Sequence, residues 1–277
     1  MKSIGSIHEI TKAMEMIAAF RLKRAEGRFS KSKNYFSEME KLAGNLARAA
    51  EPLSQALFEK RPVKTKALVV MTGDKGLCGA YNANILRAAN AWFHENQAYE
   101  TFVVPVARVG FDFFRKKRAS SVFLSYPEKS TADFPLAKKI AGDLEKAFLL
   151  KKVDQVELLY TSYRPGGAGQ NRLVPFLGLS YLTESAPKEG GVSDFIFEPD
   201  LETVFVSLLS RYLEGKMYAA LLESLTSENA ARMVAMKQAT DNAEEVLDDL
   251  KLLRNKTRQA TITRELSEIV SGASVLV

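Results

Sequence analysis

Apolar residues recur at intervals of three and four at both ends of this 277-residue chain. Ile7, Ile10, Met14 and Ile17 follow that spacing, and so do Met39, Leu42, Leu46, Ala49 and Leu53. At the other end, Ala243, Val246, Leu250 and Leu253 form one such series, and Ile262, Leu266, Ile269, Ala273 and Leu276 another. These are coiled-coil spacings and predict a helix at each terminus with an apolar seam. The middle alternates differently. Residues 66–71 (KALVVM) read as a strand, residues 81–96 as a helix with Ile85, Leu86, Ala89, Trp92 and Phe93 inward, and residues 101–106 as a second strand. A short helix over 111–117, a third strand over 121–124, a helix over 135–151 and strands over 156–162 and 173–179 complete the series. That order predicts an α/β sheet with helices on its faces.

Helix breakers divide the chain in the same way. All nine prolines lie between Pro52 and Pro199. Proline removes a helix donor and clashes with the preceding turn, so the ends can be long helices and the middle cannot. The division is an N-terminal coiled-coil helix over 1–59, an α/β domain over 60–199 and a C-terminal coiled-coil helix over 200–277. Residues 216–271 form a run without proline or glycine. As one helix that run spans about 84 Å, whereas a globule of this length is roughly 50 Å across. Such a helix protrudes and needs a partner for its apolar stripe. The simplest closure is an antiparallel pair of the two terminal helices; an ordinary helical bundle is the alternative. Alanine and threonine dilute the seam, which points to a further covering surface outside this chain.

Composition narrows the chemistry. No apolar run reaches the ~18 residues of a membrane span, and the N-terminus lacks a signal-peptide core. A single cysteine, Cys78, excludes an internal disulfide, and with only His8 and His94 the usual zinc ligand sets are out of reach. The loop TGDKGLCGAYN over 72–82 follows a strand and opens a helix, where phosphate-binding loops sit. It lacks the lysine–serine/threonine ending of a P-loop and is not G-x-G-x-x-G. Its glycines then serve tight turns and close packing, with Asn82 or Asp74 bonding the local backbone. An enzyme binding a phosphate-bearing ligand at this loop is the rival reading.

Charge is blocked along the helices. Residues 241–249 hold five acids and no base, residues 251–264 five bases and no acid, and residues 21–33 six bases against Glu26. The net charge is +6. Each block reads either as a solvated helix face or as a positive collar on a rod that meets carboxylates of a surrounding partner. A DNA-binding rod is a third reading. It fits less well because the basic turns run into the apolar series from Ile262, not into a parallel zipper.

Three blocks carry a resemblance: EITKAMEMIAAFRLKRA over 9–25, GDKGLCGAYN over 73–82, and SENAARMVAMKQATDNAEEVLDDL with RNKTRQATITRELSEIVSGA over 227–273. In order and separation they resemble the gamma subunit family of F-type ATP synthase, the central rotor shaft. The resemblance implies an antiparallel coiled coil of the terminal helices on a Rossmann-like α/β domain that binds no dinucleotide. It implies partners: a ring of alpha and beta subunits around the coiled coil, and epsilon and the membrane c-ring at the foot. It also implies a non-catalytic role coupling hydrogen-ion flow to ATP synthesis, with no cofactor or metal in this chain. The implied location is the cytoplasmic face of the bacterial inner membrane, held peripherally.

By motif, Met14 matches a shaft position facing a beta-subunit lever. Arg258 and Gln259 match residues that bond a beta loop, with Arg254 one turn before and Thr263 one turn after. Phe195, Phe197 and Glu198 match the foot that meets the c-ring and epsilon. Some residues depart from the pattern. The family carries about ten more residues before Lys2–Ile4, which implies a late or misassigned start. Arg254 replaces a frequent tyrosine, His8 and Glu9 replace glutamine and lysine, Lys75 replaces arginine, and phenylalanines stand at the foot where tyrosines are frequent.

Overall fold

A computed structural model describes residues 1–49, 57, 62–129, 132–167, 169–178 and 201–275. In chain order the elements are α1 (Lys2–Ala49), β1 (Thr65–Met71), α2 (Tyr81–Glu95), β2 (Glu100–Val106), α3 (Arg108–Lys117), α4 (Phe134–Leu149), β3 (Gln155–Thr161), β4 (Asn171–Leu177) and α5 (Leu201–Val275). No described helix is long and apolar enough to cross a membrane.

The sheet runs β2-β1-β3-β4, with β1 parallel to both neighbours and β4 antiparallel to β3. Both faces of β1 are covered, and this accounts for its unbroken apolar sequence. Leu68 and Val70 face α2 and α3, with Ile85, Trp92, Phe93 and Phe114. Ala67, Val69 and Met71 face the other way, onto Ile140, Leu144 and Phe148 of α4 and Leu213 and Met217 of α5. The lower part of α5 is therefore core to the domain as well as part of the rod. Asp133 caps α4 by accepting from the Leu136 amide at 3.1 Å, with a proline in the first turn.

The third strand expected over 121–124 does not form. Residues Ala119–Ser121 make a 3-10 turn, and the following segment touches β2 only at two isolated bridges, Val103 with Val122 and Val106 with Tyr126. Pro105 explains the interruption. Its carbonyl accepts from the Tyr126 amide at 3.0 Å, but it has no N–H to return.

The terminal helices pack antiparallel. Thr240 donates to Thr11 between hydroxyls at 2.9 Å, and Phe36 stands edge-on to Tyr218, with ring centroids 6.0 Å apart. Phe36 also lies over Gly215, where an added Cβ would come within 3.2 Å of the ring. Each step up α1 is thus matched by a step down α5. The start of α1 reaches the level of about residue 250, and α5 continues for about 25 residues beyond it, or about 38 Å.

The seam is displaced from the expected one on much of α1, whereas on α5 the expected Ala243 and Leu250 are covered. On α1 the covered positions include Ile4, His8, Thr11, Glu15, Ala18, Leu22, Ala25 and Phe29, in a continuous four-three alternation. On α5 they are Met236, Thr240, Ala243, Leu247 and Leu250. The predicted Ile7, Ile10 and Ile17 are 52%, 58% and 54% exposed, and Val246 and Leu253 also face outward. Two heptad-spaced stripes compete on each helix. On α1 the small Thr11, Ala18 and Ala25 take inner positions and let the backbones approach, while Ile7, Ile10 and Ile17 stay outside. Nearer the domain the prediction holds: Met39 and Leu42 pack on the core. The side chains of Leu46 and Ala49, and the whole of Leu53, lie outside the described residues.

Candidate functional site

The projecting part of the helix pair presents chemistry that no other described residue covers. Beyond residue 250, Leu252, Leu253, Ile262, Leu266 and Ile269 are between 47% and 67% exposed. Arg254, Arg258 and Gln259 are exposed on the same stretch, and neither arginine has an ion-pair partner among the described residues. Thr263 is exposed, and its hydroxyl donates back to the Gln259 carbonyl at 2.9 Å. Arg254 and Arg258 stand one turn apart on one face, and Ile262 and Ile269 continue that side of the helix. On α1, Met14 is half-buried at the edge of the seam, while Phe20 is 71% exposed. Exposed apolar side chains in this number mark an interaction surface. Phe195, Phe197 and Glu198 lie outside the described residues.

Below this tip is the neck, where both helices leave the domain. The 72–82 loop sits here and is held by its own residues as expected: Asn82 accepts from the Gly73 amide at 2.8 Å. Asp74 instead reaches a distant segment, accepting from the Lys129 amide at 3.0 Å. Leu77 and Gly79 adopt positive φ, and Gly79 has no side-chain cost in doing so. Gly73 is needed for a different reason. A Cβ there would lie 3.0 Å from the Glu228 carboxylate of α5. The mouth of the loop is therefore occupied by the Glu228 carboxylate.

Lys129 closes the neck. Its side chain is wholly buried; Nζ donates to the Thr72 carbonyl at 2.6 Å and to Ser224 Oγ at 3.0 Å, and lies 3.3 Å from Glu228 Oε2. Arg232 donates to the other oxygen of Glu228 at 2.7 Å and reaches back to the carbonyls of Lys75 and Gly76. Tyr81 OH bonds Ser224 at both its carbonyl and its hydroxyl. Burial alone pushes the Lys129 ammonium toward neutrality, but Tyr81, Glu228 and Asp74 outweigh it and hold the group above the usual lysine range. Burial raises Asp74, which the Lys129 amide and ammonium partly offset. Burial likewise raises the Cys78 thiol, making it a weak nucleophile.

Also at the neck, Tyr163 OH donates to Glu26 of α1, and the Tyr163 amide donates to Glu223 of α5 at 3.0 Å. Arg28 donates to the Ala132 carbonyl at 2.9 Å and to Tyr218 OH at 3.1 Å. Part of the basic block on α1 thus ties the rod to the domain. Lys129 carries no signal in the sequence, since a lone lysine in a polar loop reads as solvated. Glu228 and Arg232 were visible only as an i,i+4 pair within the third block.

A family model described as ATP synthase matches residues 1–276. The ATP synthase gamma chain of Polaromonas sp. is 37% identical over 281 residues, covering 100% of this chain and 96% of its own length. The gamma chain of Mycolicibacterium gilvum is 36% identical over 297 residues, covering 100% and 95%. Among solved structures, the central stalk/c-ring structure of Tetrahymena thermophila mitochondrial ATP synthase superposes with a TM-score of 0.64 at 25% identity, covering 83% of this chain and 99% of that one. The Euglena gracilis mitochondrial ATP synthase rotor, at 17% identity and a TM-score of 0.55, shares the fold over 91% of this chain and 99% of that one. With sequence matches that run essentially end to end, this chain belongs to the ATP synthase gamma-chain family.

Proposed function

We propose that this chain is the central rotor shaft of a hydrogen-ion-translocating F-type ATP synthase, and that it carries rotation of a membrane c-ring to a catalytic ring of alpha and beta subunits. The observation that carries the reading is the stretch of α5 beyond residue 250, whose apolar residues are exposed and whose Arg254 and Arg258 have no ion-pair partner among the described residues. The division into a helix over 1–59, an α/β foot over 60–199 and a helix over 200–277 assigns the tip to the ring and the domain to the base. Met14, Arg254, Arg258, Gln259 and Thr263 are the contacts to beta; Phe195, Phe197 and Glu198 are the contacts to epsilon and the c-ring. Nucleotide chemistry then lies on the beta subunits, and this chain acts peripherally at the cytoplasmic face of the bacterial inner membrane.

The physics of the assigned parts supports the role. Two packed helices resist bending and twisting better than one, and neither is interrupted by proline. The outward stripe offers non-directional apolar contact, suited to a surface that must slide. The arginines add directional, carboxylate-specific contacts at one level of the shaft. Because the two helices differ in length and sequence, a full turn presents a different face to each surrounding subunit.

Affinity purification of a tagged copy from its own cell is the direct test. Alpha, beta and epsilon subunits should co-elute in constant proportion. Elution of this chain alone, or with nucleic acid in place of those subunits, would refute the assignment.

A further inference from the structure

We propose that Lys129 is a positioning residue that fixes the angular setting of α5 on the α/β domain, by clamping Glu228 and Ser224 of the helix to the Thr72 carbonyl at the end of β1. The proposal rests on the rotor reading, since an angular setting has consequences only if α5 transmits torque.

Three segments far apart in sequence meet at one ammonium group. Thr72 directly follows β1 of the sheet, whereas Ser224 and Glu228 lie one turn apart on the same face of α5. Asp74 holds the Lys129 backbone, so the ammonium is anchored from behind as well as in front. The second oxygen of Glu228 is held by Arg232, which also grips the loop carbonyls of Lys75 and Gly76. Gly73 leaves room for this approach, since a Cβ would meet the carboxylate at 3.0 Å.

Apolar packing around α5 is strong but weakly directional, so it resists separation better than rotation. Buried charged bonds behave differently. A turn of about 20° carries a side chain about 6 Å from the helix axis through roughly 2 Å. That displacement would take Glu228 and Ser224 out of reach of Lys129 and leave the buried ammonium without its carboxylate, while Glu228 keeps only Arg232, a loss that a low-dielectric interior penalises. The network therefore acts as a detent against rotation at the level where the rod leaves its base.

The test uses the assembled complex in membrane vesicles, with Lys129→Met and with the double variant Lys129→Met, Glu228→Gln. The second variant removes both charges and leaves an amide for Arg232. Two quantities are read: ions pumped per ATP hydrolysed against an imposed gradient, and the angular spread of a probe fixed to the α/β domain while the catalytic ring is immobilised. With normal amounts of assembled complex, the ratio should fall at least twofold and the spread should widen, while unloaded hydrolysis stays within twofold of wild type. An unchanged ratio and spread in an assembled double variant would overturn the proposal. So would failure of both variants to assemble, because the network would then be a requirement for folding and not an angular clamp. Neither result would touch the rotor reading, which stands or falls on co-purification with alpha and beta.

Discussion

The neck shows how much depends on single side chains. Removing Lys129 alone takes one of two cationic partners from the buried Glu228, which keeps Arg232, and loss of one partner of a buried pair costs up to about 3–5 kcal/mol. Lys129→Met should therefore unfold at clearly lower denaturant than wild type, and adding Glu228→Gln should recover part of the loss; urea melts of the three proteins measure this. Gly73→Ala pushes a methyl against the same carboxylate and should cost about 1–3 kcal/mol by the same measurement. A second, half-buried lysine behaves in the opposite way. Burial lowers the Lys216 ammonium to about 8, only partly offset by Glu40. The unfolded chain then holds more protons than the native one between about 8 and the ordinary lysine value, so native stability rises with pH across that window. Lys216→Met removes the slope, and its stability relative to wild type should fall between about pH 7.5 and about pH 9.5. Asn82 was legible from the sequence because its role is local. Lys129 and Lys216 were not, because burial of a lysine is decided by chain segments far from it.

At the scale of elements, the strands, the long terminal helices and their antiparallel pairing follow from apolar runs, proline placement and heptad spacing. The distal seam followed only in part, at Ala243 and Leu250 but not at the α1 isoleucines, and Ala18 and Ile17 show why. Spacing identifies a stripe but does not choose between two adjacent ones. That choice depends on how closely the backbones approach, and Ala18 and Ala25 permit a closer approach than isoleucines would. The same limit applies to residues 121–124, where the composition suits a strand but Pro105 on the neighbour removes the donor that a ladder needs. The observed seam makes a sharp prediction. Ala18→Leu inserts bulk between the helices and should destabilise by about 1–3 kcal/mol. Ile10→Ser and Ile17→Ser alter outward residues and should each move stability by less than about 0.5 kcal/mol. The reverse ranking in thermal melts would restore the seam expected from spacing.

Taken whole, the molecule separates what holds it together from what it offers to others, and the tip of α5 tests that separation. Arg258 and Gln259 are exposed, and they make no contact that the fold requires beyond the Gln259 backbone carbonyl accepting from Thr263. Their replacement by alanine should leave the melting of the isolated chain within about 0.5 kcal/mol of wild type. In the complex, if they bond a beta-subunit carboxylate, each lost charged contact is worth about 1.5–3 kcal/mol. That is enough to slow coupled ATP synthesis in vesicles roughly tenfold. Met14→Lys places a charge beside the seam at another level of the shaft and should also reduce coupling. Salt distinguishes the two causes. An arginine contact at a partly open surface weakens within the Debye length, about 8 Å at physiological ionic strength, so added salt should lower wild-type coupling toward that of the double variant. The defect of Met14→Lys, which arises from desolvating a new charge against an apolar wall, should persist in salt. Synthesis rates that are unchanged in both variants at low and high salt would remove these residues from the beta interface while leaving the fold as described.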